Sequence, residues 1–233
     1  MTNAAEGLPA FALEPGDVAL VVADLHWDSA GEVHDASGLD ASADHLERLV
    51  TSTGATALFV LGDLLTMRER DPAFARRSVE RLAATGVERL VLLPGNHDRD
   101  LSRLLGSGRN AGGRWRVVDA TWCVLLVGEG PPAYLTHDAG GGHFTDPSNV
   151  HAYLGELRDL ADVRGAPAGS WLLAGHAHEP FALPSRRTAA VGAFWASMGH
   201  PHAQIRAAGD GGDGTAKLLL FQGDGRGREF ALS

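Results

Sequence analysis

The sequence is short of sulfur. One cysteine, Cys123, occurs among 233 residues, so no internal disulfide can form, and its place inside the apolar "WCVLLV" suits a small buried side chain better than a reactive thiol. Disulfide stapling and redox chemistry are set aside. Long apolar runs are missing too, and none approaches the roughly 20 residues of a membrane-spanning helix. The opening "MTNAAEGLPAFALEPGD" has no basic start, hydrophobic stretch and cleavage site in succession, so a cytoplasmic location is expected. Positive charge is scarce: 20 Lys and Arg against 29 Asp and Glu give a formal net charge of -9. Binding to long polyanions depends on neutralising phosphates, so long nucleic acid is a disfavoured partner, although a local basic patch would evade that argument. Internal repeats, coiled-coil heptads and long linkers are also absent.

What is present is length enough for one substantial core, with 44% apolar and 21% charged residues, and a single domain over residues 1–233 is expected. The runs "DVALVVA" (17–23), "TALFVLG" (56–62) and "RLVLLPG" (89–95) read as buried strands. Between the first two, Leu39, Leu46, Leu49 and Val50 recur at helical spacing, with Asp40 or Ser42 as candidate N-caps. Between the second and third, "DPAFARRSVERLAATG" opens with Asp71 and Pro72 as cap and first turn, and closes on Gly86. Strands alternating with helices imply parallel pairing with crossovers, and ligands then sit beyond the carboxyl ends of the strands. Further strands are expected at "RWRVVD", "WCVLLV", "PAYLTHD" and "SWLLAG", with a helix at "VHAYLGELRDLA". Three of these strands follow one another directly, so this part of the sheet should be partly antiparallel. The tail adds "TAAVGAFWAS", "TAKLLLFQ" and "GREFAL".

The chain holds 11 histidines, and several stand at strand ends. "ADLHWD", "GDLL", "GNHD", "THD" and "GHAHEP" each follow an apolar run and each contribute Asp, Asn or His. Turn propensity explains Asp and Asn but gives no special place to His. A shared metal site does. Asp24, His26, Asp63, Asn96, His137, His176 and His178 form a mixed oxygen and nitrogen set suited to manganese, iron, zinc or nickel. Seven ligands exceed one tetrahedral ion. Two ions roughly 3.5 to 4 Å apart, bridged by a carboxylate, would use them all and would clamp both oxygens of an in-line phosphoryl displacement. If the local backbone is extended, Asp24 with His26 and His176 with His178 each point to one side.

The ordered strings Asp24-Leu25-His26, Gly62-Asp63, Gly95-Asn96-His97-Asp98, His137 and Gly175-His176-Ala177-His178 resemble the calcineurin-like metallophosphoesterase family, over residues 18 to about 182. The resemblance implies an α/β fold, a two-sheet αβ sandwich of mixed strands flanked by helices, with a dinuclear metal site at the strand C-terminal ends. It implies that Asp24, His26 and His178 hold one divalent ion, that Asn96, His137 and His176 hold the other, and that Asp63 bridges, with manganese foremost. His97 would meet a phosphate oxygen as proton donor or charge stabiliser while a metal-bridging hydroxide attacks phosphorus. Asp98 would orient His97 through its ring N–H, and equally suits an N-cap for "RDLSRLL". Gly95 lets the chain turn.

Around this set, Arg99 and His143 are candidate substrate contacts, the latter in a Gly-rich stretch that also leads to His151. His34, His45, His200 and His202 match no motif position and read as packing or surface residues. Asp210 and Asp213 read as a hairpin tip rather than a calcium loop. Asp138 stands where the family commonly has glycine, and an extra carboxylate there could bond into the site or repel an anionic substrate.

The strings that mark protein Ser/Thr phosphatases, DRG and GNHE, are missing. The chain is more similar to small bacterial phosphodiesterases and, in part, to UDP-2,3-diacylglucosamine hydrolase, although the 38 residues between His137 and His176 leave no room for a large helical lid. The expected function is hydrolysis of a small phosphodiester. Alternatives are a phosphomonoesterase on a small metabolite, or a non-catalytic protein-binding scaffold on the same fold. The apolar "AVGAFWASM" covers either a dimer contact or the sheet.

Overall fold

The computed structural model describes residues 7–28, 38–66, 71–105, 108–109, 115–118, 120–138, 149–208 and 215–232. The three apolar runs of the N-terminal half form strands β2 (Val18–Val22), β3 (Ala57–Leu61) and β4 (Arg89–Leu93). Helices α1 (Gly38–Thr53) and α2 (Pro72–Ala83) cross between them. Each crossover returns the chain to the same end of the sheet, so the strands pair in parallel, Leu20 opposite Leu58 and Leu58 opposite Leu90. Beyond β4 lie β6 (Trp115–Val117), parallel, and β5 (Gly108–Arg109), antiparallel. On the other side β12 (His202–Arg206), β13 (Lys217–Phe221) and β14 (Gly227–Ala231) add antiparallel strands. A five-residue helix, α3 (Leu101–Leu105), follows the loop after β4.

The second sheet holds β1 (Ala10–Leu13), β7 (Trp122–Val127), β8 (Ala133–Thr136), β9 (Trp171–Ala174), β11 (Thr188–Ala190) and β10 (Phe181–Leu183), in that order. β7 and β8 form an antiparallel pair, while α4 (Val150–Val163) carries the chain from β8 to a parallel β9. The expected mixture of orientations is therefore present.

Side-chain alternation sorts the core into layers. Ala19, Val21, Phe59, Leu61 and Val91 of the first sheet meet Cys123, Leu125, Leu135, Leu173 and Ala189 of the second in one buried cluster. Their neighbours Leu20, Val22, Leu58, Val60 and Leu90 face the other way, onto Leu46, Val50, Val79 and Leu82 of α1 and α2. Val124, Tyr134 and Leu172 lie under Tyr153, Leu154 and Leu157 of α4. The result is a helix, sheet, sheet, helix sandwich. Among the described residues no helix is long and apolar enough to cross a membrane.

Several local expectations change. α1 begins at Gly38, so Asp40 and Ser42 lie within its first turns rather than at its cap. Asp71 does cap α2, accepting from the Ala73 N–H at 2.8 Å, but the helix ends at Ala83 with Ala84 as its cap, two residues before Gly86. "TAAVGAFWAS" is not one strand. It leaves β11 at Ala190, turns at Gly192 (φ 86°), where a Cβ would come 2.8 Å from Pro180, and bridges to the first sheet at Ala193 opposite Ala23. β1, β5, β10 and β12 had no counterpart in the sequence reading. In β12 the buried face opposite Ala203 and Ile205 carries His202 and Gln204, which hides its apolar alternation. These two satisfy each other, ring nitrogen to amide at 3.2 Å, and His202 stacks on Phe221.

Candidate metal centre

Parallel pairing brings the carboxyl ends of β2, β3, β4, β8 and β9 to one side of the sandwich, and each end presents the residues expected of it. Ligand atoms of Asp24, His26 and His178 lie within 4.8 Å of one another, and so do those of Asp63, His137 and His176. Asp63 stands between the two groups: its Oδ2 is 3.7 Å from His26 Nε2 and 3.4 Å from His137 Nε2. His178 Nε2 lies 3.7 Å from Asp24 Oδ1, and Asn96 Oδ1 lies 2.8 Å from His137 Nε2.

The backbone that achieves this is not extended. Asp24, His26, Asp63, His176 and His178 all have positive φ, between 47° and 67°, in the left-handed region that non-glycine residues seldom occupy. In both paired strings a buried apolar residue, Leu25 or Ala177, separates two left-handed candidate ligands. Each strained turn is tied to its neighbours. Asp24 and His26 donate their N–H groups to the carbonyls of Gly62 and Asp63, at 3.2 and 3.0 Å. His176 N–H goes to Asp24 Oδ2 at 2.8 Å, and His97 N–H to Asp63 Oδ1 at 2.9 Å. The segment after β11 closes the set: Ala193 N–H reaches the His178 carbonyl at 2.7 Å and Phe194 N–H the Ala23 carbonyl at 3.0 Å.

Glycines precede three of the candidate ligands because nothing larger fits. A Cβ on Gly95 would lie 2.0 Å from Asp63 Oδ1, one on Gly62 2.5 Å from His137 Nδ1, and one on Gly175 2.5 Å from the Leu61 carbonyl. Gly95 has no positive φ, so close approach of the Asp63 carboxylate, rather than a turn, is what requires it.

The buried charges call for a cation. Asp24 Oδ1 and Asp63 Oδ2 are buried and accept no hydrogen bond among the described residues, an arrangement that costs several kcal/mol without a counter-charge. Burial, with Asp63 as a like-charged neighbour, pushes Asp24 up to about 8 against the pull of His137. Burial also pulls Asp63 upward, but His137, His26 and the His97 N–H outweigh it and bring its carboxyl to about 2. Burial opposes charge on His137, yet Asp63 and Asp24 raise it to about 10. Two divalent ions placed between these carboxylate oxygens and imidazole nitrogens would supply the missing charge. The donor set contains no sulfur, because Cys123 lies in the core between the sheets, and it fits hard or borderline divalent ions.

The remaining expected residues divide. His97 is exposed, and its ring is 5.2 Å from that of His26. Asp98 is fully buried and serves the backbone: it accepts from the N–H groups of Gly95 at 2.6 Å, Asp63 at 3.3 Å and Leu65 at 3.4 Å. Its carboxylate is thus aimed at the ligand loops rather than at the His97 ring, and it does not cap α3, where the Leu101 N–H meets the Asp98 carbonyl. Arg99 is exposed. His143 lies outside the described residues. His151 is exposed on α4 and edges onto Phe181. Asp138 is buried, and its charge bears on His176 and Tyr153.

Three neighbours carry no signal in the sequence. Tyr153 gives its hydroxyl to the His137 carbonyl at 3.2 Å. Thr66 Oγ1 is 3.4 Å from His26 Nδ1, and its N–H goes to Asp28. Trp195 places its ring 4.8 Å from His178 and 5.9 Å from His26. A hydroxyl or indole at these positions matches no strand-end pattern, so only the fold reveals them.

The profile of the calcineurin-like phosphoesterase family matches residues 18–180. No curated protein matches the chain. Among solved structures the chain is similar to a dimetal phosphatase from Danio rerio, with a TM-score of 0.55 at 12% identity, covering 94% of this chain and 99% of that one. It is also similar to Vps29 from Chaetomium thermophilum, with a TM-score of 0.51 at 14% identity, covering 94% and 95%. These likenesses are of fold.

Proposed function

Because the chain belongs to the calcineurin-like phosphoesterase family and is thereby a metal-dependent phosphoester hydrolase, we propose that it is a phosphodiesterase acting on a small diester. In this reading Asp24, His26 and His178 hold one ion, Asn96, His137 and His176 hold the other, and Asp63 serves both, with manganese as the metal. Such a pair of ions supplies Lewis-acid activation of water and of the phosphoryl group. The observation that carries the proposal is the pair of buried carboxylate oxygens on Asp24 and Asp63 that accept no hydrogen bond among the described residues, which a protein-binding scaffold has no reason to keep.

The side chains then divide the work. His97 stands exposed beside the His26 ring, and its imidazole can hold a proton for a phosphate oxygen or a departing alkoxide. Asp98 holds the loops of Asp63 and Gly95 in register through the backbone. Arg99 and His143 are proposed as substrate contacts. A diester carries one negative charge at its phosphate where a monoester carries up to two, and Arg99 is the one arginine in the string "GNHDRD" that would meet it.

The test is hydrolysis of bis-p-nitrophenyl phosphate and of p-nitrophenyl phosphate with added manganese, before and after chelation, beside His97→Ala. Faster turnover of the diester, lost on chelation and reduced by about 10²-fold or more in His97→Ala, is expected. No turnover of either ester with any divalent metal would remove the enzyme reading, and a faster monoester would remove the diester preference.

A further inference from the structure

The second sheet has another polar end. Where β9 and β11 begin, Arg158 of α4, Ser170 and the turn from Pro184 to Arg187 line an open cleft of about 370 Å³. Ser170 stands just before β9 and His176 just after it, so roughly 20 Å of chain separates the cleft from the metal ligands.

Three observations converge on it. First, the lining carries the guanidinium groups of Arg158, Arg186 and Arg187 against the carboxylate of Asp162, on a chain whose net charge is -9. Second, Arg158 is a charged side chain only 6% exposed. It donates from Nε and one terminal nitrogen to Asp162 and from the other to the Ser170 carbonyl, which uses three of the five N–H groups of a guanidinium. Third, Ser170 is fully buried and its hydroxyl has no hydrogen-bond partner among the described residues. A buried hydroxyl and an incompletely used buried guanidinium lining one cleft are costly unless a ligand completes both.

The other contacts fix the cleft in place. Arg186 reaches Asp159 of α4, and Arg187 gives one N–H to the Gly169 carbonyl at 2.7 Å. Asp159 and Asp162 therefore orient guanidiniums, and the balance of charge at the wall stays positive.

We infer that this cleft binds the phosphate group of a small phosphorylated molecule, apart from the metal centre. Guanidinium forks match phosphate oxygens in pairs, and the Ser170 hydroxyl adds a neutral donor. The volume lies in the lower part of the range for small-molecule sites and leaves room for an organic portion beside the phosphate. The inference does not depend on what the metal centre hydrolyses.

The experiment titrates the zinc-loaded full chain with inorganic phosphate at constant ionic strength and follows backbone amide signals by NMR. Saturable shifts at Gly169, Ser170 and Arg187 are expected, distinct from those at Gly62 and Gly175 beside the metal ligands. Arg186→Gln and Ser170→Ala should each weaken the cleft event by about tenfold and leave the metal-centre event unchanged. Chloride and acetate at matched ionic strength should give no saturable shift. Shifts that never saturate, that chloride reproduces, or that both variants leave untouched would each overturn the assignment.

Discussion

His137 holds its Nε2 2.8 Å from Oδ1 of Asn96 while its Nδ1 lies 2.7 Å from the carbonyl of Leu61. With the Nδ1 proton given to Leu61, Nε2 is the ring nitrogen turned towards Asn96 and Asp63, protonated where it meets their oxygens directly and open to a metal ion once that proton leaves. A divalent ion can take the place of that proton and draw on both side chains. His137→Ala should therefore lower metal affinity at this half of the centre by about a hundredfold or more, leaving close to one ion per chain after dialysis. Elemental analysis by mass spectrometry checks the count, and two retained ions would show that His137 is not a ligand.

Gly95→Ala tests steric access to the same centre. Its Cβ would fall 2.0 Å from Asp63 Oδ1 and 2.4 Å from the Asp63 nitrogen, so Asp63 must move. Overpacking of this kind costs about 1 to 3 kcal/mol, and we expect that loss together with the loss of bound metal. Gly130→Ala, whose nearest neighbour is 3.6 Å away, should change neither. Thermal melts and metal content decide the matter, and a Gly95→Ala protein with normal metal content would contradict it.

His45 and His200 stack with centroids 3.9 Å apart. Burial first, then His45, Arg48 and His202, lower His200 from 6.5 to about 4. As pH falls from about 6.5 towards 4, the unfolded chain takes up a proton that the folded chain resists, so stability is lost over that window and is present above it. Urea midpoints of the metal-loaded protein at pH 7.5 and pH 5 should separate further for the wild type than for His200→Asn, a residue that tolerates the left-handed φ of 54° at this position. Equal separations would count against His200 as the source.

Burial pushes the Cys123 thiol far above its ordinary range, and Arg116 only partly offsets it. A thiol with so little thiolate reacts slowly. Ellman's reagent should therefore label native protein at the rate of unfolding, and label urea-unfolded protein at once. Rapid native labelling would show that the core between the sheets opens.

The proposed ligands were legible in the sequence because each follows a strongly apolar strand, where an isolated His or Asp stands out. The parallel β2, β3 and β4 were equally plain, since strands buried on both faces read as continuous Leu and Val. Where burial is shared with polar groups the reading fails: His202 and Gln204 made β12 look like a loop, although it pairs directly with β2. Asp98 shows the same limit at the site. Its place after His97 suggests a side-chain partner, but the fold folds it inward onto three backbone N–H groups. Tyr153 and Trp195 arrive from a helix and from the turn after β11, and no spacing in the chain relates them to the strand ends.

Five of the proposed ligand positions share a left-handed backbone, and that restricts which amino acids can ever stand there. Aspartate, asparagine and histidine are the non-glycine residues most at ease in that conformation, and they are also the oxygen and nitrogen donors that such ions take. Glutamate or cysteine would meet a conformational penalty before any question of coordination arose. The shape of the loops thus acts as a filter on ligand chemistry, and attempts to retune this centre towards a thiophilic metal would have to rebuild the turns before exchanging the side chains.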